Sequence, residues 1–185
     1  MNTRKLLHGI TFLLMVIYLS EPVLAFDNLE NENASNNTIE GNAHRLSITQ
    51  QGDNNQGSIT QLGNKQLAIL NQAGQDLTAN LHQEGSENAL QVTQAGSDHT
   101  LHTYQSGSQN QLIAHQNGFA NTLTSHQEGQ ENFSELHQDG SNNLIETHQT
   151  GQHNSIRVDQ LGSDMMAIVE QVGSFQNAVL TQTQF

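Results

Sequence analysis

Three consecutive 11-residue stretches decide the fold: NTLTSHQEGQE (residues 121–131), NFSELHQDGSN (132–142) and NLIETHQTGQH (143–153). Each stretch begins with Asn, has Gln at its seventh position and Gly at its ninth. Leu or Ile occupies the third position of the first and last stretches and the fifth position of the middle one. Between the Asn and the Gln, the residues at the third and fifth positions alternate with mostly polar residues. Successive side chains of a β-strand point to opposite faces, so the Asn, the two apolar positions and the Gln share one face. Each stretch therefore predicts a short half-buried strand that ends in a glycine turn.

The same pattern continues through most of the 185-residue chain without an insertion. Glutamine recurs thirteen times at intervals of 11 residues, at Gln50, Gln61, Gln72, Gln83, Gln94, Gln105, Gln116, Gln127, Gln138, Gln149, Gln160, Gln171 and Gln182. Glycine follows two residues after the first twelve, at Gly52, Gly63, Gly74, Gly85, Gly96, Gly107, Gly118, Gly129, Gly140, Gly151, Gly162 and Gly173. Asparagine stands six residues before the Gln in seven units, at Asn55, Asn88, Asn110, Asn121, Asn132, Asn143 and Asn154. Such a register indicates that every unit has the same structural role, and it argues against the disorder that a Gln- and Asn-rich composition alone would suggest.

The repeat length and the alternation together predict the fold class. Eleven residues also fit three turns of a helix, but a Gly in nearly every unit and frequent β-branched residues disfavour helix. Strands of about six residues with turns of about five must stack, because a single unit cannot bury its apolar face alone. We predict an all-β fold: a β-solenoid of stacked 22-residue strand-turn-strand layers, each built from two 11-residue units, which becomes cross-β amyloid when assembled.

The repeated amides have a specific place in such a stack. A buried carboxamide is costly unless its donor and its acceptor are both bonded. Layers about 4.8 Å apart allow each glutamine to bond the equivalent glutamine in the next layer, which predicts a structural Gln ladder. The inward asparagines either form a similar Asn ladder or cap the backbone of the turn, and the sequence leaves both roles open.

The chain divides into three segments. Residues 1–25 have the features of a secretory signal peptide: Arg4 and Lys5, an apolar core from Ile10 to Leu19, and small residues before the cleavage point at Ala25. Residues 26–43 are acidic and Asn-rich, which predicts a flexible N-terminal arm, although a degenerate unit lies within it at residues 33–41. Residues 44–185 form the predicted solenoid of thirteen units.

Composition excludes several classes of function. The chain has 18 acidic and 5 basic residues, and removal of Arg4, Lys5 and Glu21 with the signal peptide leaves 17 and 3, a net charge of −14. A protein that binds a phosphate backbone needs the opposite sign, so we expect no nucleic-acid partner. The acidic residues scatter over turns and outer faces and the serines recur with the repeat, so we expect no catalytic residues, no cofactor and no enzymatic activity. Met166, Ile168 and Val179 are expected to project outward, either as a docking surface or as scattered apolar residues.

The histidines form an outward row. Five of them directly precede a repeat glutamine: His82, His115, His126, His137 and His148. The stacking predicts that His126 neighbours His148 and that His115 neighbours His137. We interpret the row as a solvated surface feature with no metal, and imidazoles at this spacing leave a shared metal ion as the alternative.

The pattern Q-x-G-x-x-N-x5-Q, as in Gln50–Gly52–Asn55–Gln61 and Gln127–Gly129–Asn132–Gln138, resembles the curlin repeat of bacterial curli. The resemblance implies a secreted structural subunit, nucleator or major component, of an extracellular functional amyloid fibre (a fimbrium) on the cell surface, with roles in adhesion and the biofilm matrix. It implies as partners further copies of the chain, a sister curlin subunit, a dedicated outer-membrane secretion channel and a periplasmic chaperone. The constant spacing of 11 is more similar to the minor, nucleating curlin, whereas the acidity and the thirteen units depart from it. The alternative is a non-polymerising secreted β-solenoid adhesin or surface-binding module, which should carry capping elements; the last strand, residues 178–182, shows none, so we expect polymerisation.

Overall fold

The computed structural model describes residues 12–19, 24–29 and 33–184, with side chains from residue 33 onward. The predicted signal peptide lies largely outside the described residues, which exclude 1–11 and 20–23. The described residues form sixteen strands and no helix, and thus contain no helix long and apolar enough to cross a membrane. The strands are β1 Phe12–Leu19, β2 Leu24–Leu29, β3 Ala34–Asn42, β4 Arg45–Asp53, β5 Gln56–Asn64, β6 Leu67–Gln75, β7 Thr78–Ser86, β8 Ala89–Ser97, β9 Thr100–Ser108, β10 Gln111–Phe119, β11 Thr122–Gln130, β12 Phe133–Ser141, β13 Leu144–Gln152, β14 Ser155–Ser163, β15 Met166–Ser174 and β16 Asn177–Thr183.

The strands form two parallel sheets that face each other. Odd-numbered strands make one sheet and even-numbered strands the other, so the chain crosses between the sheets at every turn. From β3 onward each strand pairs in register with the strand 22 residues further on, as Gln116 does with Gln138. The fourteen strands from β3 to β16 thus form seven turns of a β-solenoid, which confirms the predicted fold class.

The strands are longer than the sequence predicts. Most span nine residues, and only two residues connect them, as Ala120 and Asn121 connect β10 to β11. The prediction of six-residue strands is wrong because the glycine still pairs with the layer above, as Gly118 does with Gly140. Gly118 has φ +109°, and a Cβ there would overlap the carbonyl oxygen of Gly140, so only glycine fits this corner.

The core is a thin layer between the sheets, made from the two apolar rows of the repeat. Its buried members are Ile39, Leu46, Ile48, Ile59, Ala68, Leu70, Ala79, Leu81, Leu90, Val92, Leu101, Leu112, Ala114, Leu123, Leu136, Ile145, Ile156, Val158 and Ala167. Each fully buried Leu or Ile stabilises the fold by about 1.5–3 kcal/mol. Small polar residues such as Ser125 and Ser134 complete the same rows and are equally buried.

The structure differs from the sequence prediction before residue 44. Part of the segment predicted to be a flexible arm forms strand β3, which pairs in register with β5. Asn33 is buried at the asparagine position of this degenerate unit, and Ile39 is buried where later units have glutamine. This segment has an acidic composition, but it keeps the alternation of buried and exposed residues and the turn glycine, Gly41, of the later units.

Candidate functional site

The thirteen glutamines form two continuous rows, one in each sheet. Within a row, each Nε2 donates to the Oε1 of the glutamine 22 residues later, at distances from 2.6 Å (Gln50 to Gln72) to 3.1 Å (Gln138 to Gln160). The repeat glutamines are nearly all fully buried, so these bonds form away from solvent, where an unpaired amide is most costly. Every donor points towards higher residue numbers, so each row has an acceptor end and a donor end.

The second amide proton of each glutamine joins the two sheets. It goes to the backbone carbonyl 16 residues earlier, which belongs to the first residue of the preceding strand in the opposite sheet. Gln94 donates to Thr78 at 3.1 Å and Gln116 to Thr100 at 3.3 Å, and all thirteen repeat glutamines make this bond. The sequence does not reveal this bond, because the alternation fixes the face of a side chain but not which backbone atom a long side chain reaches.

Both rows stop at their acceptor end. The Oε1 atoms of Gln50 and Gln61 are buried and have no hydrogen-bond partner among the described residues. Gln61 is in register with Ile39 and Gln50 with Leu29, so neither has an amide donor in the layer below. Each unpaired buried acceptor costs on the order of 1–3 kcal/mol.

The seven asparagines hold the turns. Asn132 Nδ2 donates to the carbonyls of Glu128 at 3.2 Å and Gly151 at 3.0 Å, and its Oδ1 accepts the backbone N–H of Asn154 at 3.1 Å. The other six bond the glycine carbonyl and the N–H of the next layer in the same way. Of the two roles that the sequence leaves open, the structure shows backbone capping.

Residues other than asparagine take over this position in some units, which the sequence pattern does not identify. His99 Nε2 donates to the carbonyl of Ala95 at 3.0 Å, and its Nδ1 accepts the N–H of Asn121 at 3.1 Å, which assigns a neutral ring protonated at Nε2. Burial lowers the pKa of His99, against smaller raising effects from the Ala95 bond and from Asp98. Gln66 donates to Gly85 at 3.3 Å as an asparagine would, but its Oε1 is buried and has no hydrogen-bond partner in the described part of the chain.

An aromatic column runs along the outer face of the odd-numbered sheet. The rings of His82, Tyr104, His126 and His148 stack with centroids 5.0, 4.7 and 4.8 Å apart and planes within 20°. The structure thus brings His126 and His148 together, and it adds Tyr104, which the sequence pattern does not single out. On the other sheet, His115 and His137 lie 6.4 Å apart and edge to face.

The column has no metal-binding geometry in the part of the chain that the structure describes. No group of three or more His, Cys, Asp or Glu side chains converges there on one point. Burial and the neighbouring His148 lower the pKa of His126, whereas Glu128 raises it. Its position in the stack therefore disfavours the charged form of the His126 ring.

Apolar side chains project from the last two strands, as the sequence predicts. Met166, Ile168 and Val179 are 60%, 61% and 66% exposed. Val172 and Phe175 are also exposed, and the Phe175 ring stacks on His153 at 4.8 Å.

Comparison with known protein families agrees with this geometry. The curlin associated repeat matches residues 41–74, 52–85 and 140–173. These matches support the curlin family. Curated proteins and solved structures give no match.

Proposed function

We propose that this chain is a structural subunit of a curli-type amyloid fibre on the cell surface, with a role in adhesion and the biofilm matrix. The observation that carries the proposal is the pair of unidirectional glutamine rows in an in-register parallel stack. Such a row is extended only by another layer with glutamine at the same place. A further copy of the chain and a sister curlin subunit both supply such layers.

Within the fibre we propose a nucleating role, because the spacing of 11 residues does not vary. Every strand from β4 to β15 has nine residues and pairs at an offset of 22, so all layers present the same register to an incoming chain. This constant spacing resembles that of the minor, nucleating curlin. Export then requires cleavage after residue 25, a periplasmic chaperone and a dedicated outer-membrane channel.

The experiment uses the purified chain from residue 26 onward. X-ray diffraction of the assembled material should show a reflection near 4.8 Å along the fibre axis. Thioflavin-T kinetics are then recorded for the chain alone and for a sister subunit with small amounts of the chain added as seed. A nucleator shortens the lag of the sister subunit, whereas a major subunit mainly extends its own fibres.

A chain that remains monomeric at every concentration, with an intact β-sheet circular-dichroism spectrum, contradicts the proposal. That outcome favours the alternative of a non-polymerising adhesin. A helical spectrum in assembled material contradicts the fibre structure itself.

A further inference from the structure

We propose that, in the chain from residue 26 onward, the rest of β2 and strand β3 together form a displaceable cap on the acceptor end of the glutamine rows, since β2 covers β4 and β3 covers β5. When this cap leaves, β4 and β5 of one copy lie on β15 and β16 of a second copy. This inference rests on the proposed fibre function and adds to it where growth is controlled and which atoms join the subunits.

The first argument is the pair of buried acceptors under the cap. Gln50 Oε1 and Gln61 Oε1 have no hydrogen-bond partner among the described residues, whereas every later glutamine of the two rows accepts an amide proton from the glutamine 22 residues before it. Ile39 lies in register with Gln61 and offers no donor. The covering layer thus keeps water away from the two acceptors but supplies no donor to them, which raises the free energy of the capped state.

The second argument is the weakness of the cap itself. The inward side chains of its strand β3 are Ser35, Asn37 and Ile39, so only one of the three is apolar. In β4 the equivalent inward row is Leu46, Ile48 and Gln50, with two apolar residues and a ladder amide. Side-chain bonds also hold β3: Asn33 and Asn37 accept backbone N–H groups of the next layer, and Gln50 donates to the carbonyl of Ala34. With less apolar surface buried and no bond between glutamine side chains, β3 should still open before the layers that follow it.

The third argument is the match between the two ends of the rows. Within the described residues, Gln171 and Gln182 each donate one amide proton to a backbone carbonyl, at 3.1 Å, and have no glutamine layer beyond them. If β4 pairs with β15 and β5 with β16, Gln171 donates to Gln50 and Gln182 donates to Gln61. Both buried acceptors then gain a donor of the kind that every interior rung has.

The number of units sets the relation between the two copies. The strands from β4 to β16 number thirteen, so they begin and end in the same sheet. Continuing the alternation therefore turns each new copy by half a turn about the fibre axis, which places its even-numbered strands on the odd-numbered sheet of the first. If β3 remains, the count is fourteen, copies stack without this rotation, and Gln171 meets Ile39 instead of a glutamine.

A reversible lock tests whether the cap leaves. The chain has no cysteine, and Thr38 of β3 is in register with Thr60 of β5 on the outer face. Paired strands lie about 4.8 Å apart, within the Cα range of a disulfide. We expect the oxidised double variant Thr38→Cys/Thr60→Cys to show a lag about tenfold longer or more, and reduction to restore it. The control is Thr100→Cys/Thr122→Cys, a register pair of the same residue types between interior strands β9 and β11, whose oxidation should leave the lag unchanged.

Equal lag times for the oxidised and reduced cap variant overturn the proposal, because the cap then stays in place during growth. Ile39→Gln gives a second test, in which a cap that leaves and a cap that stays in the fibre change the lag in opposite directions. It supplies Gln61 with a donor and holds the cap more tightly, so we expect a longer lag, with Thr38→Gln on the outer face as the control. If β3 instead stays in the fibre, Ile39→Gln gives Gln171 of the next copy an acceptor and shortens the lag.

Hydrogen exchange on the monomer separates the cap from the fibre function. Backbone amides of β3 should exchange at least about tenfold faster than those of β7 or β9, since the cap opens alone. Equal protection across these strands overturns the cap even in a chain that forms fibres. Failure of the chain to form fibres, with fast exchange confined to β3, contradicts the proposed function and leaves the cap supported.

Discussion

Each turn of the solenoid places two residues in the left-handed region of φ. The first is the repeat glycine, and the second, two residues later, is never glycine: φ is +58° at Asn54, +53° at Ala120 and +57° at Phe175. A side chain with a Cβ pays about 1–2 kcal/mol for this conformation, with Asn and Asp penalised least. The turn therefore stores strain at every layer, and the strain is largest where Ala or Phe occupies the position.

This strain predicts that Ala120→Gly stabilises the chain. Gly removes the Cβ penalty at φ +53° and loses part of the gain to backbone entropy, so we expect the free energy of unfolding to rise by about 0.5–1 kcal/mol. Urea unfolding of the monomer measures it. As a control, Ala95→Gly lies within strand β8 and should cost about 0.5–1 kcal/mol. A loss of stability in Ala120→Gly contradicts the assignment of strain to this residue.

The buried histidine at the asparagine position predicts a dependence of stability on pH. Burial lowers the pKa of His99 below its usual 6.5, so the folded chain binds this proton less readily than the unfolded chain. The contribution of the neutral ring is complete above about pH 6.5 and is lost as the pH falls from there through the lowered pKa. Protonation would also place a proton on Nδ1, which accepts the N–H of Asn121.

We expect His99→Asn to reduce this dependence. Asparagine keeps both backbone bonds and adds a third to the carbonyl of Gly118, as in the neighbouring units, which gains about 1 kcal/mol. Urea midpoints of both chains are compared between pH 7.5 and 5. His102→Asn, on the outer face, serves as the control, and a slope that is unchanged in His99→Asn contradicts the role of this ring.

At the scale of the turn, one glutamine stands where the asparagine row runs. Gln66 donates to the carbonyls of Leu62 and Gly85, but its longer side chain leaves Oε1 buried, with no donor to it among the residues that the structure describes. In Gln66→Asn the oxygen should retreat by one methylene to the position that accepts the N–H of residue 88. We expect stability to increase by about 1 kcal/mol in urea unfolding.

The reciprocal change is the control for the turn. Asn110 Oδ1 accepts the N–H of Asn132 at 3.0 Å, so Asn110→Gln should lose this bond and destabilise the chain by a similar amount. Equal stability of the two variants and the parent chain means that the turn tolerates either amide.

The sequence predicts the strands and their faces because parity and period are properties of the chain alone. Alternation places Leu123 and Gln127 on one face, and the constant period fixes which layers pair. It does not predict atoms brought together across sheets, such as Gln116 and the carbonyl of Thr100. Composition also misleads locally, since the acidic segment before residue 44 contains β3, whose alternation survives although its glutamine is replaced by Ile39.

At the scale of the molecule, net charge opposes assembly. The chain after residue 25 has 17 acidic and 3 basic residues, a charge of −14, and nine of the ten histidines, because only His8 precedes residue 26. Full protonation of those nine would leave −5. Repulsion between identical acidic stacks falls as this charge falls.

We therefore expect the assembly lag to shorten as the pH falls from 7 to 5. Because the pKa values of His99 and His126 are lowered, these two rings take up their protons, and so reduce the net negative charge, below pH 6.5. Thioflavin-T lag times across this range measure it, and added salt should weaken the effect by screening. A lag that lengthens steadily towards pH 5 means that protonation of the stacked imidazoles outweighs the loss of net negative charge.

Because each glutamine row has an acceptor end, a substitution there should affect monomer stability and fibre growth differently from a substitution inside the row. Gln127 accepts from Gln105, and its two amide protons are shared among Gln149, Ser134 and the carbonyl of Gln111. Gln61 donates to Gln83 and to the carbonyl of Arg45, and its oxygen accepts from none of the described residues. Gln127→Ala therefore loses more bonds in the monomer and should cost about 1–3 kcal/mol more stability than Gln61→Ala.

Growth should rank the same two variants in the opposite order. An incoming copy needs the free acceptor of Gln61 and makes no bond to Gln127, so we expect Gln61→Ala to lengthen the lag about tenfold or more and Gln127→Ala to change it little. Both residues belong to the odd-numbered sheet, which makes each the control for the other. Urea unfolding measures the stability of the two variants, and thioflavin-T kinetics measure their assembly lag. If the lag follows monomer stability, with Gln127→Ala slower, the subunits do not join through the acceptor end of the row.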